Sequence, residues 1–183
     1  MKALNKQTAP KSVAPERIIQ FGEGNFLRAF VDYFFDCANE KADWNGKVVL
    51  VQPIAQGLTK LINDQEGLYT LYLRGSEKGE KVDLKRVISS VSRCINPYDD
   101  FDAVLELAKS DDLEYIVSNT TEAGIVHESE SKFDQCPPIS FPAKLTRVLY
   151  ERYKAGKDGV VVFEKRMQLS TIVLSRFFVE EMG

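Results

Sequence analysis

Arg17-Ile18-Ile19-Gln20-Phe21-Gly22-Glu23-Gly24-Asn25-Phe26-Leu27-Arg28-Ala29 decides how this chain folds. An apolar strand pattern runs into a pair of glycines, and an amphipathic helical pattern leaves it. Glycine at such a turn lets the backbone bend sharply and leaves bare main chain for a ligand to approach. The helix then begins with amide N–H groups that have no intrahelical partner, and these attract a phosphate. Gly22-x-Gly24 reads either as an ordinary strand-to-helix turn or as the pyrophosphate seat of a dinucleotide, with Asn25 and Phe26 adding amides at the helix start. The third glycine of the usual G-x-G-x-x-G is Leu27, so the spacing alone leaves both readings open. A carboxylate beside a pyrophosphate repels it, and on the second reading Glu23 has to point away.

Strand and helix patterns alternate outward from this turn, which predicts an α/β fold: a doubly wound, mostly parallel sheet covered by helices. Residues 18–21 form the first strand. Phe26, Phe30, Phe34 and Cys37 recur at helical spacing and predict the buried stripe of the first helix. Asn45-Gly46 marks a turn, and residues 48–51 a second, fully buried strand. Residues 68–73 and 86–91 read as a β-hairpin around the charged loop 75–80, inserted into the alternation. Asn96 as cap and Pro97 in first position predict a helix with Phe101, Val104, Leu105 and Ala108 on its apolar face. Residues 115–118 are a strand, 141–153 a helix, 160–163 a strand and 169–182 a last amphipathic helix. Residues 1–15 are polar with Lys and Pro and predict a flexible arm, leaving 16–183 as one domain.

Composition narrows the function. The 183 residues carry a formal net charge of -3, with 44% hydrophobic and 28% charged residues. There is no basic stripe for a nucleic acid to neutralise. No apolar run reaches the roughly 20 residues that span a bilayer, and the first residues lack the apolar core of a signal peptide. Cys37, Cys94 and Cys136 are odd in number and widely spaced. They form neither a disulfide framework nor a zinc pattern, which fits a reducing cytoplasm.

Four stretches together resemble the polyol-specific long-chain dehydrogenases, the mannitol dehydrogenase family. Gly22-x-Gly24-x-Phe26-x-Arg28-Ala29 is similar to that family's glycine loop, which dispenses with the third glycine. Gln65-Glu66-Gly67-Leu68-Tyr69-Thr70-Leu71 resembles its Q-D-G-L-Y-T-L segment. Ser118-Asn119-Thr120-Thr121-Glu122-Ala123-Gly124-Ile125 resembles its T-E-[AG]-G loop, and Phe141-Pro142-Ala143-Lys144-Leu145-Thr146 the helix that follows. The four stand in the family's order across roughly residues 16–155. Within the family, residues 20–30 and 119–125 look nearest to its sugar-acid reductases.

The resemblance implies a Rossmann-type domain that binds NAD(H), and hydride transfer between NADH and the ketone of a sugar acid. In the family a helical C-terminal domain carries a catalytic Lys in a K-x-x-x-x-N-x-x-H pattern. This sequence has no such pattern, and Glu164-Lys165-Arg166-Met167-Gln168 stands where the family has a segment similar to P-C-E-L-I-x-x-N-G. The expectation is a cofactor-binding half with no catalytic residue of its own, divergent over 164–183, that takes its sugar acid only together with the C-terminal half. Its uncovered apolar surface would favour self-association. The rivals are a reductase of another sugar acid or of a hexitol, such as fructuronate or mannitol, and a non-catalytic nucleotide-binding or protein-interaction remnant.

Further site residues follow from position. Doubly wound sheets place a ribose-binding acid about 20 residues beyond the glycines. Gln52 stands there, with no basic neighbour to welcome a 2′-phosphate, which favours NAD over NADP. It reads equally as a cap at the strand end. Asn119, Thr120 and Glu122 follow the 115–118 strand on the edge where such sheets hold ligands. They read either as contacts to the nicotinamide ribose and ring or as a turn and helix cap. His127, the sole histidine, lies in a polar run and outside the family's catalytic pattern, and reads as a solvated residue. No residue set has metal-ligand spacing.

Overall fold

The structure, a computed structural model, describes residues 4–120, 124, 132–157, 159–165 and 172–175. In chain order its elements are β1 (Glu16–Phe21), α1 (Asn25–Lys41), β2 (Lys47–Val51), α2 (Thr59–Asp64), β3 (Tyr69–Glu77), β4 (Glu80–Ile88), β5 (Val91–Ile95), α3 (Asp102–Ala108), β6 (Tyr115–Ser118), α4 (Phe141–Lys154), β7 (Val161–Lys165) and β8 (Ile172–Ser175). The main sheet has the order β5-β2-β1-β6-β7-β8. Its pairs are parallel except the last, where β8 runs antiparallel to β7. The winding reverses between β1 and β6, the switch point at which open α/β sheets leave a crevice beyond their carboxyl ends.

Alternation along the strands feeds two cores. Ile19, Phe21, Val49, Val51 and Ile95 pack with Val104, Leu105, Ala108 and Val148 of α3 and α4. Ile18, Val48, Leu50 and Cys94 pack on the other face with Leu27 of α1 and Ile62 of α2. β2 is buried along its whole length, as a central parallel strand covered on both faces must be.

The buried face of α1 is turned away from the expected stripe. Phe26, Phe30 and Phe34 are exposed, while Leu27, Asp32 and Asp36 are buried and Cys37 is half-buried. Phe26 stacks on Phe30 and Phe30 meets Phe34 edge to face, with ring centroids 5.8 and 4.9 Å apart. The inward places go to Leu27, with Val31 and Phe35 packed beside the same core, and to two aspartates whose partners come from the hairpin. Asp36 accepts hydrogen bonds from Arg86 Nε (2.7 Å) and from the backbone N–H of Ser89 (2.8 Å).

The hairpin β3–β4 is present but longer than expected. It pairs from Tyr69↔Ile88 to Glu77↔Glu80 and turns at Lys78 and Gly79, both at positive φ (52° and 85°), as a two-residue turn that matches strand twist requires. The predicted 86–91 strand is divided: β4 ends at Ile88, and Val91 opens β5 in the main sheet.

Three other expectations are corrected. Asn96 and Pro97 do not start a helix. The Asn96 Oδ1 accepts from Tyr98 N–H and its carbonyl from Asp99 and Asp100 N–H, an Asx turn that competes with the helix. α3 begins at Asp102, with the Asp100 carboxylate accepting from Ala103 N–H (2.9 Å). Within the predicted 169–182 helix, residues 172–175 form β8; the β-branched Thr171-Ile172-Val173 run favours extended backbone, and β7 offers an open edge. The remainder of that segment lies outside the described residues. Residues 4–15 also lie against the body rather than hanging free. Ala9 is buried, Lys11 Nζ donates to the carbonyls of Glu66 and Ser92, and Pro15 O accepts from Lys47 N–H (2.8 Å).

Candidate functional site

At the switch point the glycine turn and the exit of β6 lie side by side. Gly22 has φ +122°, a region closed to most L-residues. Its N–H donates to Val51 O (2.9 Å), tying the turn to the end of β2. A Cβ on Gly22 would stand 3.0 Å from Leu27 Cδ1 and 3.4 Å from Asn119 Oδ1, so Asn119 directly adjoins the turn. Leu27 explains the absent third glycine: its side chain is buried in the core under α1.

Gly24 differs in kind from Gly22. It is the N-cap of α1 in extended conformation (φ -69°, ψ 164°), and the first turn of α1 carries no acidic residue. A Cβ added there would meet nothing within 4 Å. The space in front of this helix start is open. Asn25 is exposed and its Oδ1 accepts from Arg28 Nη2 (2.7 Å). The Arg28 guanidinium also lies over the Tyr69 ring, 5.2 Å from the centroid, directed along the helix toward the hairpin root.

Glu23 does point away. Its side chain is buried and Oε1 accepts from Leu58 N–H (3.3 Å). Gln52 is committed to the same loop. Its Nε2 donates to Ile54 O (2.8 Å) and Ala55 O (3.1 Å), and its Oε1 accepts from Thr59 Oγ1 (2.7 Å) and Thr59 N–H (3.3 Å). This places Gln52 in the loop-capping role and leaves its carboxamide turned from the groove. Gly57 fits between the two side chains, since a Cβ there would lie 2.3 Å from Glu23 Oε1 and 2.5 Å from Gln52 Cδ.

On the β6 side Ser118 is buried, and Asn119 and Thr120 are half-buried. Ser118 Oγ lies 2.9 Å from Thr120 Oγ1 and accepts from Thr120 N–H (3.3 Å), which fixes the loop as it leaves the strand. Glu122 and His127 lie outside the described residues. The structure thus brings Gly22, Gly24, Asn25, Phe26, Asn119 and Thr120 to one edge and withdraws Gln52 into the loop beside it.

Two buried titratable side chains stand outside the sequence candidates, one beside Tyr98 and one behind the glycine turn. Lys144, in the first turn of α4, is buried, and desolvation lowers its pKa. Its Nζ donates to Ile139 O (2.8 Å) and to Tyr98 OH (3.3 Å). Asp32 of α1 is fully buried behind the glycine turn. The apolar spacing of α1 put Phe26, Phe30 and Phe34 inward and so gave no signal for Asp32. Cys94 is inert by contrast: burial pushes its thiol up to about 11, so no thiolate forms near neutrality. Among the described residues no cluster of His, Cys, Asp or Glu could hold a metal ion, and no helix is long and apolar enough to cross a membrane.

The family described as the mannitol dehydrogenase Rossmann domain matches residues 16–162. The altronate oxidoreductase of Klebsiella pneumoniae subsp. pneumoniae is 52% identical over 168 residues, covering 88% of this chain and 35% of that protein. The altronate oxidoreductase of Bacteroides thetaiotaomicron is 50% identical over 167 residues, covering 89% and 35%. Among solved structures, Pseudomonas fluorescens mannitol 2-dehydrogenase in ternary complex with NAD and D-mannitol superposes with a TM-score of 0.72 at 21% identity, over 89% of this chain and 38% of that one. A substrate-free D-sorbitol dehydrogenase gives 0.67 at 18% identity. The chain spans about a third of the length of the altronate oxidoreductases it matches.

Proposed function

Because the chain belongs to the mannitol dehydrogenase family through its Rossmann domain, we propose that it is the NAD-binding half of an oxidoreductase that interconverts tagaturonate and altronate. One observation carries the reading: Gly24 opens α1 at the switch point onto open space, with nothing within 4 Å of the place a Cβ would take. Gly22 and Gly24 let the pyrophosphate approach, and the amides of Asn25 and Phe26 receive its charge. Asn119 and Thr120, with Glu122 from the same loop, take the nicotinamide ribose. Gln52 acts through the loop it holds and leaves direct contact with the adenosine ribose to that loop's backbone. Residues 53–58, Pro-Ile-Ala-Gln-Gly-Leu, contain no lysine or arginine, which favours NAD over NADP.

When bound, the cofactor supplies the hydride. The chain's own residues hold and orient the dinucleotide. The sequence has no K-x-x-x-x-N-x-x-H segment to protonate the alkoxide. The choice of a sugar acid over a hexitol rests on the altronate oxidoreductases at about 50% identity.

Calorimetric titration of the purified chain with NADH and with NADPH tests the proposal. The expected result is saturable NADH binding, weaker NADPH binding, and negligible turnover of altronate or tagaturonate. A folded chain that binds neither nucleotide would favour the non-catalytic remnant. Robust reductase activity would place the missing proton donor within these 183 residues.

A further inference from the structure

β1 points Ile18 toward α1 and Ile19 and Phe21 toward α3 and α4. Gln20, fully buried, takes the α1 side, a polar group where the alternation calls for an apolar one. Its Nε2 donates to the Gly22 carbonyl (3.1 Å), so it grips the peptide that sets the glycine turn. Across from it stands Asp32 of α1, also fully buried and in contact with Gln20. Tyr69, from the hairpin root, lies on the other side of the carboxyl. Its hydroxyl is 2.6 Å from Arg28 O and 3.2 Å from Asp32 Oδ2, one proton for two acceptors. Gln20 Oε1 and Asp32 Oδ1 are both buried and receive no hydrogen bond.

Two orphaned oxygens in neighbouring buried side chains are costly. A single proton on the carboxyl removes the deficit, because it turns one of the two into a donor and the other into its acceptor. We propose that Asp32 is a positioning residue for the glycine turn, held as the neutral acid and hydrogen-bonded to Gln20, which in turn holds the Gly22 carbonyl. The proposal rests on the cofactor reading above, since it concerns how that turn is kept in binding geometry.

The surroundings favour the neutral form. Burial raises the Asp32 carboxyl from its ordinary value to about 7 and outweighs the opposing pull of the Tyr69 hydroxyl, the Arg28 guanidinium and Gln20. Asp36, one turn further along α1, pushes in the same direction as burial, though its own charge is met by Arg86 of β4 (2.6 Å) and felt by Lys47 of β2. An acid whose folded pKa is raised contributes stability that is complete below its unfolded value and lost as pH rises through the folded one. Above neutrality the ionised carboxylate competes for the Gln20 amide, the grip on Gly22 loosens, and dinucleotide affinity falls.

The test uses the full chain. The Asp32 carboxyl is followed by ¹³C NMR without nucleotide, and NADH affinity is measured from about pH 6 to about pH 8.5 for the parent, Asp32→Asn and Gln20→Leu. The expected result is an Asp32 titration near neutrality and an NADH Kd that rises about tenfold across the range in the parent, the change that one pKa unit of coupling produces. Asp32→Asn keeps the low-pH affinity throughout, and Gln20→Leu binds weakly at every pH. His127, common to all three chains, cancels in the comparison. An Asp32 already ionised at pH 6, or identical pH profiles for parent and Asp32→Asn, overturns the proposal while NADH binding itself stands. Absence of NADH binding at any pH removes the cofactor reading and this proposal together. If Asp32→Asn fails to fold, the NMR titration of the parent still decides.

Discussion

Gly24→Val is expected to abolish NADH binding and leave the fold intact. The backbone at Gly24 is extended, which valine adopts readily, and nothing stands within 4 Å of the added Cβ. The cost to folding is that of a poor N-cap, under about 1 kcal/mol, a shift in Tm of a few degrees at this chain length. The branched side chain enters the space before the first amides of α1, the proposed pyrophosphate seat, and a loss of affinity of at least about 100-fold, roughly 3 kcal/mol, is expected.

Gly22→Ala makes the contrast. At φ +122° with Leu27 Cδ1 3.0 Å away, an alanine strains the backbone by about 1–3 kcal/mol and distorts the turn as well, so stability and binding fall together. Calorimetry and thermal melts on the two variants separate occupancy of the cradle from integrity of the turn. If Gly24→Val binds NADH like the parent, the dinucleotide does not cross Gly24 and the proposed site is wrong.

Arg152→Met is expected to destabilise the chain more than any surface change. Arg152, near the end of α4, is buried and donates through Nη1 to Ala108 O and Ser110 O (both 3.0 Å) and through Nη2 to Leu113 O (3.2 Å). Those carbonyls finish α3 and lead into β6, so one guanidinium closes the whole connection. Methionine keeps the apolar stem and removes the guanidinium donors from all three carbonyls, leaving Ser110 O only a long bond from Leu113 N–H (3.5 Å). Charge-assisted bonds of this kind are worth about 1.5–3 kcal/mol each and are not additive, so a loss of about 3–5 kcal/mol is expected. In urea the midpoint should fall while the denaturant slope holds. A change below about 1 kcal/mol would mean that rearranged main chain or water meets these carbonyls without the arginine.

What could be read from the residues and what could not divides along one physical line. Patterns that report backbone geometry were legible: the apolar run 48–51, the glycine turn at 22–24 and the alternation of strand and helix gave the doubly wound sheet. Patterns that depend on a partner distant in sequence were not. Phe26, Phe30 and Phe34 look like a core stripe, and only the hairpin's Arg86 and Tyr69 explain why Asp36 and Asp32 go inward instead. Asn96 and Pro97 are as good at a turn as at a helix start, and the choice fell to the Asn96 side chain. Gln52 had two polar uses open to it, and Thr59, seven residues on, claimed its carbonyl oxygen. Gln20 was hidden because a polar residue within a strand pattern gives no sign that its amide turns back to the Gly22 carbonyl.

The hairpin carries one more consequence. It is fastened at its root, where Tyr69 meets Arg28, Arg86 meets Asp36 and Glu40, and Ser89 meets Asp36, while its reversal at Lys78 and Gly79 lies at the far end of the ribbon. A chain opened at that reversal would fall into a leading piece with β1 and β2 and a trailing piece with β5, β6 and β7. β2 pairs with β5 and β1 with β6, so each piece supplies the neighbours the other needs. Two separately made polypeptides meeting in solution would therefore rebuild one sheet, with the glycine turn on the first and Asn119 on the second.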